Sequence, residues 1–288
     1  MSLAQEIIQK HLIPLDKSWM IRMGILDLIH DSPQCLNFLE QEKNLGTDLQ
    51  ALKNVLKNWK TSDTIEVGES GTLYRFLQFL SWKHNLNKKF VRSGTLSSRK
   101  IESNPEIVNL PLAELLQLDN GTSQWASAAV LLGSKEHVPN PPYKLALTYT
   151  AVEHWNISKK DNHSWLPKYD STILAQALTY IELKKEKRTL WSTEQAEDYC
   201  FARAFNLISR EQGLALWPSL QGHESNRIEE MKLCLQQAEK GQPIQSRDHR
   251  VVQALAMLYK NLNKPIQFIH PECVAKSWPQ FWDFLKEY

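Results

Sequence analysis

The amino-acid sequence predicts an α/β protein, on two observations. Most apolar residues recur at helical spacing, and short β-rich runs lie between several of the stretches so marked. After Thr47-Asp48, residues Leu49, Leu52, Val55, Leu56 and Trp59 fall on one helical face. After Gly71-Thr72, Leu73, Phe76, Leu77 and Leu80 do the same. Further helices are expected over 19–30, 124–132, 143–154, 172–184, 194–209, 224–239, 249–261 and 275–287. The β-rich runs are 64–67, 89–92, 214–217 and 266–269.

With 288 residues the chain suits two ordinary domains or one large one. The polar stretch 158–164 is the best boundary, ahead of the Pro-rich 138–143. Apolar residues make up 42% and charged residues 23%, so a sizeable core needs no disulfide staple. A net charge of only +2 excludes a blanket nucleic-acid binder and leaves anion attraction to local clusters. Cys35, Cys200, Cys234 and Cys273 form no CxxC pair, which argues against a zinc site or a secreted disulfide framework. The first residues hold no apolar signal core, and no apolar run approaches membrane-spanning length. A cytoplasmic protein with no membrane association is expected. Of the ten tryptophans, Trp59, Trp82 and Trp282 fall on helical apolar positions and read as packing residues.

The chemistry is concentrated at helix starts. Lys17-Ser18 precedes one expected helix, with Arg22 a turn in; Gly71-Thr72 opens another, with Arg75 three residues after Thr72. Thr122-Ser123-Gln124 opens a third and Asp248-His249-Arg250 a fourth. Unpaired N–H groups and the positive end of the helix dipole favour an anion there. Singly, each Ser, Thr or Asp is an ordinary cap. Cations at such positions are mildly unfavourable unless an anion compensates, and Lys17, Arg22, Arg75 and Arg250 all occupy them.

The same residues carry a resemblance. The segment from Pro14 to Arg22 resembles the opening P-G-S-K-S-x-S-x-R of the enolpyruvyl transferases, the family of 5-enolpyruvylshikimate-3-phosphate synthase. Gly68 to Arg75 resembles their G-N-A-G-T-x-x-R, Thr122 to Trp125 their S-S-Q-[FY], and Asn140 to Tyr143 their S-x-P-Y. Glu197-Asp198 resembles P-D, His223 to Arg227 resembles K-E-[ST]-D-R, Asp248-His249-Arg250 is D-H-R, and Cys273 to Pro279 resembles C-x-x-K-[ST]-[FY]-P. The eight segments keep the family's order across nearly the whole chain. The resemblance implies two lobes of inverted βαβ-type units, trimmed because this chain is shorter than the family's members. Residues 16–167 would form the N-terminal lobe and 168–288 the C-terminal lobe, with 1–15 packing on the latter.

The implied reaction moves an enolpyruvyl group from phosphoenolpyruvate to the hydroxyl of shikimate-3-phosphate or a related small polar alcohol, releasing phosphate. Lys17, Arg99, Gln124, Arg227, Arg250 and Lys276 would hold phosphoenolpyruvate; Arg99 rests on the weaker match of Ser98 to Ile101 and reads equally as a surface arginine. Glu224 would shuttle the proton, Asp198 would orient or deprotonate the acceptor hydroxyl, and Lys17 would share the base role. Ser18, Arg22, Thr122, Ser123, Gln124, Asn140, Tyr143, Asp198 and His223 would line the acceptor site. His249 reads as an orienting residue at least as readily as a catalyst. No metal or organic cofactor is implied, the only partners expected are the small-molecule substrates, and the protein is expected to be a monomer.

Three departures bear on the acceptor and the pocket rim. His223 stands where the family has a lysine, Glu69 where it has an asparagine, and Asn226 where it has an aspartate. A neutral imidazole replaces a fixed charge, and a carboxylate enters beside an anion pocket. These changes leave a second reading open: a catalytically degenerate relative that acts as an anion-binding or interaction protein. The branch acting on UDP-N-acetylglucosamine fits less well, since the loop after Arg92 holds no cysteine.

Overall fold

A computed structural model describes residues 1–133, 143–161, 163–184, 199–216 and 226–288. Within them the protein is mostly helical, with one two-stranded sheet. Contacts divide the chain into two compact units, Leu15–Lys168 and Met1–Pro14 with Tyr169–Tyr288. The chain begins with α1 (Leu3–Gln9), where Ser2 and Gln5 form a reciprocal capping box.

The unit Leu15–Lys168 holds α2 (Lys17–Ile29), α3 (Gln34–Gln41), α4 (Thr47–Asn58), β1 (Thr64–Gly68), α5 (Gly71–Lys83), β2 (Lys89–Arg92), α6 (Gln124–Leu131) and α7 (Ala146–Lys160). Asp16 caps α2 by accepting from the Ser18 and Trp19 amides. α2 packs on α4 and α7, and a β-carbon at Gly24 would lie 2.9 Å from Leu52 Cδ1, so glycine lets α2 and α4 approach. β1 and β2 pair in parallel across α5, from Thr64 opposite Lys89 to Gly68 opposite Arg92. The register slips between Glu66 and Gly68, where Gly68 takes φ +60°. Trp19, Met23, Leu52, Phe76, Leu77 and Trp125 fill the core.

The second unit adds α8 (Ser171–Lys184), α9 (Tyr199–Ala204), α10 (Arg210–Leu216), α11 (Arg227–Glu239), α12 (His249–Asn261) and α13 (Phe281–Glu287) to α1. α12 is its centre, packed against α9, α11 and the 3-10 turn Pro271–Lys276. The N-terminal segment is tied in by Trp278 Nε1 donating to Leu12 O (2.7 Å) and by Lys10 Nζ on Glu287 (2.6 Å).

Three expectations are corrected. The run 214–217 is not a strand over its described part: Leu214–Leu216 belong to α10, because Ser209 and Gln212 exchange capping hydrogen bonds and start a helix. The run 266–269 forms a single parallel bridge, Ile244 to Phe268, rather than a strand. Helix 275–287 is broken around Pro279 into a 3-10 turn and α13. The α/β expectation therefore holds only coarsely, with helices dominant. No helix among the described residues is long and apolar enough to cross a membrane.

Candidate functional site

In the second unit, three expected anion ligands gather at the start of α12. Asp248 caps this helix, accepting from the Arg250 amide at 2.9 Å. Its other oxygen accepts from Arg227 Nε at 2.8 Å, which fixes the first residue of α11 against the first turn of α12. Asp248 is held in turn by Ser246, whose Oγ accepts from the Asp248 amide (3.0 Å) and donates to Glu230. His249 is buried, and burial, then the Arg250 guanidinium, holds its imidazole neutral well below the usual histidine range. Arg227 and Lys276 act on it in the same sense and Asp248 opposes them, so all four charges surround this one turn.

Arg250 is the unusual member. The residue is only 9% exposed, and Nε and Nη1 have no hydrogen-bond acceptor among the described residues. A buried, charged donor without a partner is costly, and an anion at the positive end of α12 would remove that cost. One turn on, Gln253 Nε2 donates to Ser277 Oγ (3.1 Å), while its Oε1 is also buried without a partner among the described residues. Burial pushes the Cys234 thiol up to about 11 and the Cys273 thiol up to about 12, and raises Cys200 as well, so none is a ready nucleophile.

No family model, curated protein or solved structure matches this chain. The chemistry of the site is accordingly argued from its own geometry.

In the unit Leu15–Lys168, a second basic group forms at the start of α5. A β-carbon at Gly71 would lie 3.0 Å from Arg75 Nη1 and 3.9 Å from Arg99 Nη1, so both guanidinium groups border that turn. Arg75 Nη1 donates to Gln124 Oε1 (2.7 Å), and Gln124 Nε2 donates to Thr72 Oγ1 (2.8 Å), which links the starts of α5 and α6. Arg75 Nε donates to Asp119 Oδ2 at 2.6 Å, with both side chains 9% exposed. Asp119 also accepts from Trp125 Nε1 and from the Glu102 amide. The sequence reading missed Asp119; its left-handed turn with Asn120 before Gly121 was the available signal.

The remaining expected residues are placed as follows. Lys17 Nζ bonds Asp48 Oδ2 (2.9 Å), and its side chain is 42% exposed. Arg22 is buried and spent internally, donating to Thr148 Oγ1 and to Ser18 O (2.8 Å each); burial lowers its pKa to about 10. Thr122 Oγ1 accepts from the Gln124 amide (3.4 Å), and Ser123 is the N-cap residue of α6 without a side-chain cap bond. Glu69 turns to Thr95, accepting from its hydroxyl at 3.2 Å. Tyr143 opens the 3-10 turn Tyr143–Leu145. Asn140, Asp198, His223 and Glu224 lie outside the described residues.

Proposed function

We propose that the protein transfers an enolpyruvyl group from phosphoenolpyruvate to the hydroxyl of shikimate-3-phosphate or a related polar alcohol. The observation that supports this most is Arg250, buried with unspent donors at a helix start beside Arg227 and Lys276. Phosphoenolpyruvate carries a carboxylate and a phosphate, and several charge-assisted hydrogen bonds of roughly 1.5–3 kcal/mol each would offset their desolvation. In the reaction the acceptor oxygen adds to C2 while a proton adds to C3. Phosphate then leaves C2 as C3 loses a proton, which restores the double bond. On this reading Glu224 moves the C3 proton, and Asp198 with Lys17 takes the hydroxyl proton. The two units would be the trimmed lobes of inverted βαβ-type architecture.

A second reading, anion binding without turnover, is favoured by Arg22 and Arg75, whose guanidinium groups are committed to Thr148, Asp119 and Gln124. The deciding measurement is phosphate release from phosphoenolpyruvate with shikimate-3-phosphate, with Glu224→Gln and Asp198→Ala as controls. Turnover lost in both variants supports transfer. Thermal stabilisation by phosphoenolpyruvate without phosphate release supports the second reading and overturns the first.

A further inference from the structure

The other end of α2 carries a feature that the proposed reaction does not use. A cavity of about 380 Å³ lies among His30 at the end of α2, Ser32 and Gln34 at the entry to α3, Ser158 and Lys159 at the end of α7, and the segment His163–Trp165. All of these residues belong to the unit Leu15–Lys168. Thirteen helical residues at about 1.5 Å each put this end of α2 roughly 20 Å from Lys17.

Among the described residues its lining contains no Asp or Glu. Asp27, buried behind the wall, accepts from the Cys35 amide (2.7 Å) and Trp155 Nε1 (3.0 Å), and it also engages the Ser32 hydroxyl and the Trp165 indole of the lining. Two nitrogen groups share one ring: His30, held toward the neutral form by burial and then by Lys159, stacks on Trp155 at 4.1 Å between centroids, and the Lys159 ammonium sits 5.0 Å from the same ring. His163 and the hydroxyls of Ser158 and Ser164 add further donors. Trp165, 5% exposed, turns its indole N–H toward the Asp27 carboxylate and forms part of the wall.

We propose that this cavity binds a small molecule through its phosphate group. Donors outnumber the two oxygens of a carboxylate, whereas a phosphate offers three. The volume lies at the lower end of small-molecule pockets, roughly 300–1,000 Å³, and leaves room beyond the phosphate itself. Lys159 supplies the permanent charge, and the neutral imidazole of His30 offers a hydrogen bond rather than a second charge.

Inorganic phosphate and glycerol 3-phosphate are the probes, titrated into the full chain at constant ionic strength. The imidazole signals of His30 and His163 and the indole N–H of Trp165 are followed by NMR. Saturable movement of these signals is expected, with affinity falling roughly tenfold in Lys159→Ala, the worth of one charge-assisted hydrogen bond. Lys159 is exposed, so its loss leaves the fold intact, and Lys159→Arg should retain binding. Signals that fail to saturate, equal binding of acetate, or an unchanged affinity in Lys159→Ala would each overturn the proposal.

Discussion

His249 and Arg250 are chain neighbours with opposite answers to the same burial. The imidazole gives up its proton, because the desolvated ring lies among Arg250, Arg227 and Lys276. The guanidinium cannot, and so keeps a charge that finds no acceptor for Nε and Nη1 among the described residues. Arg75 shows the contrasting solution, its charge matched by Asp119 in equal burial. The neutral imidazole sets a pH dependence. Above pH 6.5 the histidine is uncharged in both folded and unfolded chains, and it adds no slope. Below that value the unfolded chain binds a proton that the folded site refuses, so stability falls as pH falls. Thermal melting between pH 7.5 and 5 should therefore decline more steeply in the wild type than in His249→Gln. Parallel curves would show that His249 is protonated in place.

At the level of elements, helix starts were the most legible feature of the sequence. The expected 124 start of α6 and 249 start of α12 coincide with the observed ones, since Thr122-Ser123 and Asp248 mark them locally. The runs 64–67 and 89–92 are the paired strands, where Ile65, Val67 and Phe90 give an alternating face. What escaped was of two kinds. α10 was hidden because Leu214-Ala215-Leu216 reads as a β-rich run, while its true signal, Ser209-x-x-Gln212, lies upstream. Asp119 escaped because its Asp-Asn-Gly run marks a turn but says nothing of the partner, Arg75, 44 residues away. The capping pair gives a direct test: Ser209→Ala should cost α10 about 1 kcal/mol and lower hydrogen-exchange protection there. Unchanged protection would mean that the close packing of Gly213 on the Tyr199 ring suffices to hold the helix.

For the whole chain, sequence distance is a poor guide to which residues share a core. The first fourteen residues belong with Tyr169–Tyr288 rather than with the unit that follows them. Ile7 is fully buried in the same cluster as Tyr180, Val251, Trp278 and Phe284, and α1 packs on α8. Closing so long a loop carries an entropic cost that apolar burial must offset, together with the Trp278–Leu12 hydrogen bond and the Lys10–Glu287 pair. The exposed pair contributes little, so the apolar contact is the larger part. Truncating Ile7 to Ala should then cost about 2–4 kcal/mol, by lost transfer and a cavity that helices cannot readily close. The loss should appear in hydrogen exchange of α13 and α8, at the opposite end of the sequence. Lys10→Ala, which removes exposed contacts to Glu6, Glu287 and the Tyr288 ring, should cost less than about 1 kcal/mol. A small effect of Ile7→Ala, or one confined to residues 3–9, would show that the N-terminal helix is an appendage. A large effect carried to α13 would make the N-terminal helix an integral part of the core on which α12 and its Arg250 are mounted.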